Sequence, residues 1–347
     1  MIRAIVENGA PHEAEIARQY LEEDTEIRNM RDERQKDVYV TSALLAESTP
    51  PAKYQVQREI FDVRKSKDRP RRLENQKPSR DAAIEQAFKG LGDVHDFYKY
   101  VYNRNSIDDQ GMVLRAEVHY QDHRRGNAFW DGKRMLFGDG DGLYFQDFTS
   151  SLDIIGHELT HGVIQYTSQL DYSGQSGALA ESLCDVMGSI IKQWKAKQSV
   201  DEADWLIGPD VLTTKVKDES APSATRPALR SMKQPGTAFE HPVLGKDPQP
   251  DHMRKYDHRL DDHGGVHINS GIPNRAFYLA SSAVGGYAWT KIGMIWYNSL
   301  SDKQLQPTSD FERFAILTLA KAEAFYGGVS VEYKAIHEAW REVGVIS

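Results

Sequence analysis

The segment His157-Glu158-Leu159-Thr160-His161 constrains this chain more than any other stretch. Four residues span about 400° of helix, so both imidazoles leave one face, a turn apart. They can converge on one ion, and a glutamate beside the first histidine completes the signature of a zinc hydrolase. Glu158 lies about 100° round from His157, where it flanks the metal and can act on a water held there. A catalytic zinc site takes three protein ligands and keeps one position open, so a third ligand is required.

Glu181 and Asp185 are also four residues apart and share a face of a second helix. The stretch from Leu183 to Trp194 is largely apolar, which predicts a buried helix. A buried carboxylate must be paired or metal-bound. Glu181 is therefore expected as the third ligand, and Asp185 as acceptor for the free N–H of a liganding histidine. Cys184 is the sole cysteine, so no internal disulfide forms. It points about 60° away from Glu181 on the helical wheel and reads as a small core residue rather than a ligand.

Further motifs follow in order: Asn127-Ala128-Phe129-Trp130, Gly138-Asp139-Gly140-Asp141-Gly142, Tyr172, Leu229-Arg230-Ser231-Met232, and the run from Asp262 to Gly271 that contains His267. With the two helices above, they make the chain resemble the thermolysin-like zinc metalloproteases from about Ile60 to the C-terminus. The opening stretch from Met1 to Gly9 resembles the short N-terminal propeptide of protealysin-type members.

The resemblance implies an α+β, two-lobed fold, with a mainly-β N-terminal lobe, a mainly-α C-terminal lobe and the zinc helix between them. It implies a short propeptide over 1–50, an N-terminal catalytic lobe over 51–168 and a C-terminal helical lobe over 169–347. It also implies roles. Glu158 is the general base, and Tyr172 and His267 donate to the developing oxyanion. Asp262 orients His267, and Arg230 offers a planar fork of donors to a substrate carbonyl. Asn127 and Ala128 pair with substrate backbone. Phe145, Phe148, Ile154, Ile207, Val211 and Leu229 line the pocket for the residue after the cut. All six are apolar, so cleavage is expected on the amino side of bulky hydrophobic residues.

Three departures from the family pattern carry expectations of their own. The family's Asn before the third ligand is Ala180 here, which removes a support for His161. At the family's double calcium site Asp153 and Asp204 remain, but Lys192, Leu206 and Pro209 replace other ligands. Calcium wants six to eight oxygens, so calcium is expected absent there, with the Lys192 ammonium between the two aspartates. The family's Pro-Pro motif upstream of the propeptide-like stretch does not appear in this sequence.

The first 46 residues are highly charged and read as helical from Glu13 to Gln35, with Ile16, Tyr20, Ile27 and Met30 as an apolar stripe. Thr49-Pro50-Pro51 breaks that helix, and removal of an inhibitory propeptide is expected between Thr41 and Tyr54. Strands are expected at Arg58–Val63, Val113–Tyr120 and Asn127–Trp130, with helices at Ala82–Tyr102 and Asp153–Thr167.

The net charge of −8 argues against nucleic acid or a membrane surface as partner, and no apolar stretch reaches spanning length. The expected partners are peptide or protein substrates and the chain's own propeptide. The resemblance implies secretion, while the start carries no apolar signal core, which leaves a cytoplasmic location open. The expected function is a zinc-dependent neutral endopeptidase made as a precursor. Two other readings stay open: a thermolysin-like aminopeptidase, which lacks an acidic anchor of the Gly-x-Met-Glu-Asn type here, and a non-catalytic zinc-binding module, which needs no Glu158, Tyr172 or His267.

Overall fold

The strand-like runs around Ile60, Val118 and Trp130 assemble into one four-stranded sheet. Its strands are β1 (Arg58–Asp62), β2 (Leu114–Tyr120), β3 (Ala128–Trp130) and β4 (Met135–Gly138), in the order β1-β2-β4-β3. β2 runs parallel to both neighbours, and β3 pairs antiparallel with β4, Phe129 opposite Leu136. The structure is a computed structural model that describes residues 1–44, 55–66, 68–120, 126–221 and 226–347, with only the backbone of residue 32 and residues 36–44. The Thr49-Pro50-Pro51 break lies outside the described residues, as does the part of the expected Thr41-to-Tyr54 cleavage stretch from residue 45 onward.

Two helices precede the sheet: α1 (Ile2–Asn8) and α2 (Pro11–Leu44), the latter 34 residues long. The α2 stripe expected from sequence is corrected. Tyr20 and Ile27 are buried, but Ile16 and Met30 are 42% and 36% exposed. The buried face is instead Ala14, Ala17, Tyr20 and Ile27, joined by the charged Arg28 and Arg31. A stripe that holds two guanidinium groups escapes a search for apolar periodicity.

α3 (Ala82–Tyr102) follows β1 and packs on β1 and β2. Asp81 caps it by accepting from the N–H groups of Ala83 and Ile84, and Asn103 ends it at φ 54°. α4 (Leu152–Gln165) and α5 (Gly174–Ala196) then form the most extensive helix pair of the fold. They cross glycine to glycine. A Cβ on Gly156 would lie 3.0 Å from the Gly188 Cα, and one on Gly188 would lie 2.3 Å from the Asp153 carbonyl oxygen.

The remaining helices are α6 (Thr214–Glu219), α7 (Asp262–Asn269), α8 (Gly271–Val284), α9 (Lys291–Leu300), α10 (Phe311–Tyr326) and α11 (Val331–Glu342). They build the helical C-terminal lobe, so the two-lobed α+β architecture is the one observed. One apolar core runs from the sheet through α4 and α5 into these helices. No helix among the described residues is long and apolar enough to cross a membrane.

At the far end of α5 the Lys192 ammonium donates to Asp153 Oδ2 at 2.9 Å, Asp204 Oδ1 at 3.1 Å and the Leu206 carbonyl at 2.7 Å. Asp153 is fully buried and also accepts from the Gly208 N–H at 3.2 Å. Burial opposes its charge, but Lys192 and these donors hold its carboxyl below the usual range.

Candidate active site

α4 presents His157, Glu158 and His161, and α5 presents Glu181, Cys184 and Asp185. Helical spacing aims the two sets at each other across the glycine crossing. Glu181 Oε2 lies 3.3 Å from His157 Nε2, and Oε1 lies 3.4 Å from His161 Nε2. All three side chains are buried. The His157 Nδ1–H donates to Asp185 Oδ1 at 2.8 Å, which turns Nε2 toward Glu181.

The electrostatics suit a cation at this point. Burial opposes charge on Glu181, yet His267, His161 and His157 hold its carboxyl well below the usual range. Burial and then Arg31 push His161 well below its ordinary value, leaving a neutral ring with a free lone pair. Burial also opposes charge on His157, but Asp185 and Glu181 outweigh it and raise the ring to about 9. Two imidazoles and a carboxylate that converge in a buried pocket are the donor set a zinc ion takes. Cys184 Sγ also falls within 4.8 Å of a ring nitrogen of each histidine. Burial drives that thiol well above its ordinary value, so it sits there protonated.

Glu158 is on the cavity side of this cluster. Its Oε2 accepts from the Trp130 N–H at 3.0 Å, and burial raises its carboxyl. β3 thus fixes the glutamate with a backbone donor. β3 is also an edge strand of the sheet. Next to it, Asn127 turns its side chain onto the Ala128 N–H at 2.9 Å.

The opposite wall carries Tyr172, Asp262 and His267. Asp262, His263, Gly264 and Gly265 all have φ between 52° and 86°, a left-handed run that only glycine adopts without cost. The run swings the Asp262 carboxylate back onto His267. It accepts from the His267 N–H at 3.0 Å and from Nδ1 at 2.7 Å. Burial pulls His267 down, but Asp262 and Glu181 prevail and hold it above its ordinary value. Its Nε2 lies 3.3 Å from the Tyr172 hydroxyl.

The Arg230 side chain binds Asp185 through Nε at 2.7 Å and Nη2 at 2.6 Å. Most of its fork is therefore committed to the carboxylate that orients His157. Burial opposes charge on Asp185, but Arg230 and His157 lower it to about 2. Of the six expected pocket residues, Ile154, Ile207 and Leu229 meet beside Gly208, whose φ is 63°. Leu229 donates its N–H to the Ile207 carbonyl at 2.9 Å. A Cβ on Gly208 would meet Leu229 Cδ1 at 2.6 Å and Ile154 Cδ1 at 3.3 Å. The Phe145 and Phe148 ring centroids are 6.1 Å apart, and the Val211 carbonyl accepts from the Gln146 N–H.

Sequence reasoning missed three residues. Asn274 of α8 donates to Asp185 Oδ2 at 2.8 Å. Arg28 and Arg31 of α2 enter the site itself. Arg28 Nη1 donates to the Tyr172 hydroxyl, which donates onward to Glu181 Oε1, and that nitrogen stands 3.7 Å from Oε1. Asp24 grips the other side of the guanidinium at 2.6 and 2.8 Å. The Arg31 guanidinium lies 4.4 Å from the Tyr172 ring centroid. Ile27 packs with Phe129 and Leu136 beside β3. What remains is a cavity of about 20 Å³ lined by Ile27, Arg28, Arg31, Glu158, Glu181 and His267 among others, room for about one water.

Residues 21–165 match the model of the thermolysin metallopeptidase catalytic domain, and residues 168–345 match that of the thermolysin metallopeptidase alpha-helical domain. The chain is 44% identical over 295 residues to an extracellular metalloprotease of Pectobacterium carotovorum subsp. carotovorum, covering 84% of this chain and 82% of that protein. It is 46% identical over 293 residues to protease PrtS of a Photorhabdus species, covering 83% and 76%. Its fold superposes on the precursor of protealysin, a metalloproteinase from Serratia proteamaculans, with a TM-score of 0.84 and 40% identity, covering 99% of this chain and 97% of the other.

Proposed function

The chain belongs to the thermolysin family of metallopeptidases and is a metalloendopeptidase; from that premise we propose a zinc-dependent neutral endopeptidase made as a precursor that its own N-terminal helices inhibit. The observation that carries the catalytic reading is the convergence of His157, His161 and Glu181 beside Glu158, with Tyr172 and His267 facing them. His157, His161 and Glu181 hold the zinc. Zinc bound there supplies an acidified water and a Lewis acid for the peptide carbonyl.

Every other step belongs to side chains. Glu158, raised by burial and steadied by the Trp130 N–H, takes the proton of the attacking water and returns it to the leaving amine. Tyr172 and the His267 Nε2–H donate to the oxyanion, and Asp262 orients His267 and keeps it protonated. Asp185 and Arg230 fix the His157 ring. Substrate backbone lies along β3 at Asn127 and Ala128. Its next side chain enters the pocket of Phe145, Phe148, Ile154, Ile207, Val211 and Leu229, where burying a Leu or Phe contributes about 1.5–3 kcal/mol.

Residues 1–50 are the propeptide, residues 51–168 the first catalytic lobe and residues 169–347 the second. The support is Arg28 on Tyr172 and Ile27 beside β3, which together occupy the ground a substrate needs. The Lys192 ammonium between Asp153 and Asp204 takes the place of calcium at the family's double site. The extracellular name of the Pectobacterium relative supports secretion.

Casein cleavage with and without a zinc chelator tests the reading, with mass spectrometry of the peptides. Chelator-sensitive cuts before Leu and Phe are expected. Undiminished cleavage in chelator would overturn the zinc role, and a preference for Asp, Glu or Lys after the cut would overturn the pocket.

A further inference from the structure

α2 does more than cover the cleft. It brings two guanidinium groups to the place where the metal donors converge. Arg28 Nη1 stands 3.7 Å from Glu181 Oε1 and is tied to the Tyr172 hydroxyl, which itself holds that same oxygen. Arg31 stands 4.4 Å from the Tyr172 ring centroid and lines, with Arg28, the same small cavity as His157, Glu158, His161 and Glu181. Arg28 is compensated on one side by Asp24. On its other side, the anion it faces is the carboxylate assigned above as a zinc ligand. A dication at that carboxylate takes away the charge Arg28 faces and sets like charges against each other in a cavity with room for about one water.

We propose that docking of α2 and binding of zinc at His157, His161 and Glu181 oppose each other, with Arg28 and Arg31 as the residues that couple them. The coupling rests on the zinc site proposed above. Its consequence is reciprocal by necessity: α2 weakens zinc by the same factor by which zinc loosens α2. Metal loading thus primes the precursor to open, and the metal-free precursor stays shut. Zinc deficiency then leaves a chain held in its covered form, with Arg28 in the role of the missing cation at Glu181.

The test uses the full chain with Glu158→Gln, so that no self-cleavage intervenes. Zinc affinity is read by competition with a coloured chelator, and opening of α2 by hydrogen exchange of its backbone amides with and without zinc. Arg28→Met with Arg31→Met should tighten zinc binding on the order of tenfold or more, within the roughly 5–150-fold range of such couplings. Asp24→Asn, which leaves the Arg28 charge uncompensated, should weaken it. In the parent chain, zinc should speed exchange in α2.

Zinc affinity unchanged or weaker in the double variant, or slower α2 exchange on adding zinc, overturns the proposal. The exchange measurement needs no substitution in α2, so misfolding of a variant cannot rescue the idea. His161→Ala in the same background separates the two levels. If that variant binds zinc as tightly as the parent, the metal site itself is misassigned. If it loses zinc while the arginine variants are silent, only the coupling fails.

Discussion

Buried carboxylates lie against α5 toward both of its ends, Glu181 on the helix itself and Asp153 reaching it from α4, and the two ends meet their need for positive charge in different ways. At Lys192, three turns on from Glu181, the cation belongs to the same helix and satisfies Asp153 and Asp204 directly. At Glu181 the counter-charges are imidazoles, and Arg28 comes from a helix that precedes the catalytic lobes in sequence. Both solutions obey one rule: a buried carboxylate without a partner is too costly to keep. The difference lies in what can be exchanged. On the reading proposed above, the Lys192 end is closed to other cations because its own is covalently attached, and at the Glu181 end one cation can give way to another.

The largest expected effect tests whether the exchangeable end is the catalytic one. Glu158→Ala removes a base and no metal donor. It should lower kcat by about 10²- to 10⁴-fold with zinc content unchanged by metal analysis. Near-normal turnover of a peptide substrate would break the comparison at its root.

Next comes the closed end. Lys192→Met leaves Asp153 buried with no cation, a change that costs about 3–5 kcal/mol when a buried pair is broken. Tm should fall by roughly 10 °C in a calorimetric scan. An unchanged Tm would mean that Lys192 is an ornament of the surface rather than the partner of Asp153.

A smaller effect sharpens the picture through pH. The Asp153 carboxyl is held below its ordinary value near 4, so its contribution is present above that pH and is lost as pH falls through the folded value. The Lys192 ammonium is held above 10.5, so its contribution is present below that pH and is lost as pH rises through its folded value. Burial opposes the charged form of both groups, and each is held charged chiefly by the other. The stability gap between wild type and Lys192→Met should therefore be flat from about pH 5 to pH 9. It should narrow at either extreme in urea titrations. A gap that peaks near pH 6.5 would assign the effect to a histidine instead.

The smallest expected effect is none. Calcium, or a calcium-selective chelator, should leave the Tm of wild type where it was. A rise of several degrees on adding calcium would show that the ammonium does not close that end.

How far the sequence reveals these two ends follows from helix arithmetic. His157, His161, Glu181 and Asp185 were legible because a four-residue step returns to one helix face. Lys192 was legible through the resemblance, because it stands where the family's double calcium site has a ligand. Three strands of the sheet were legible from short runs such as Asn127–Trp130, and α3 from Ala82 to Tyr102, but β4 (Met135–Gly138) was not. Arg28 was not legible. Its partner Tyr172 is 144 residues away, and charged residues along a charged helix look like a solvated face. The same blindness placed Ile16 and Met30 in a buried stripe, because their spacing fits a face that the fold leaves outside. Asn274 reaches Asp185 from α8 through tertiary packing that no local pattern encodes. The left-handed run at Asp262 had only Gly264 and Gly265 to announce it.

The contact of Gly156 with Gly188 has a mechanical consequence. The two helices approach so closely there that a Cβ on either glycine would collide with the other helix, which leaves them little freedom to slide. His157 is the next residue after one glycine, and Asp185 is three residues before the other, so the lever arms from this contact to the donors are short. Were the lobes to rock about this point, the rim of the cleft would move far more than the donors at its base, and the proposed metal donors would keep their spacing.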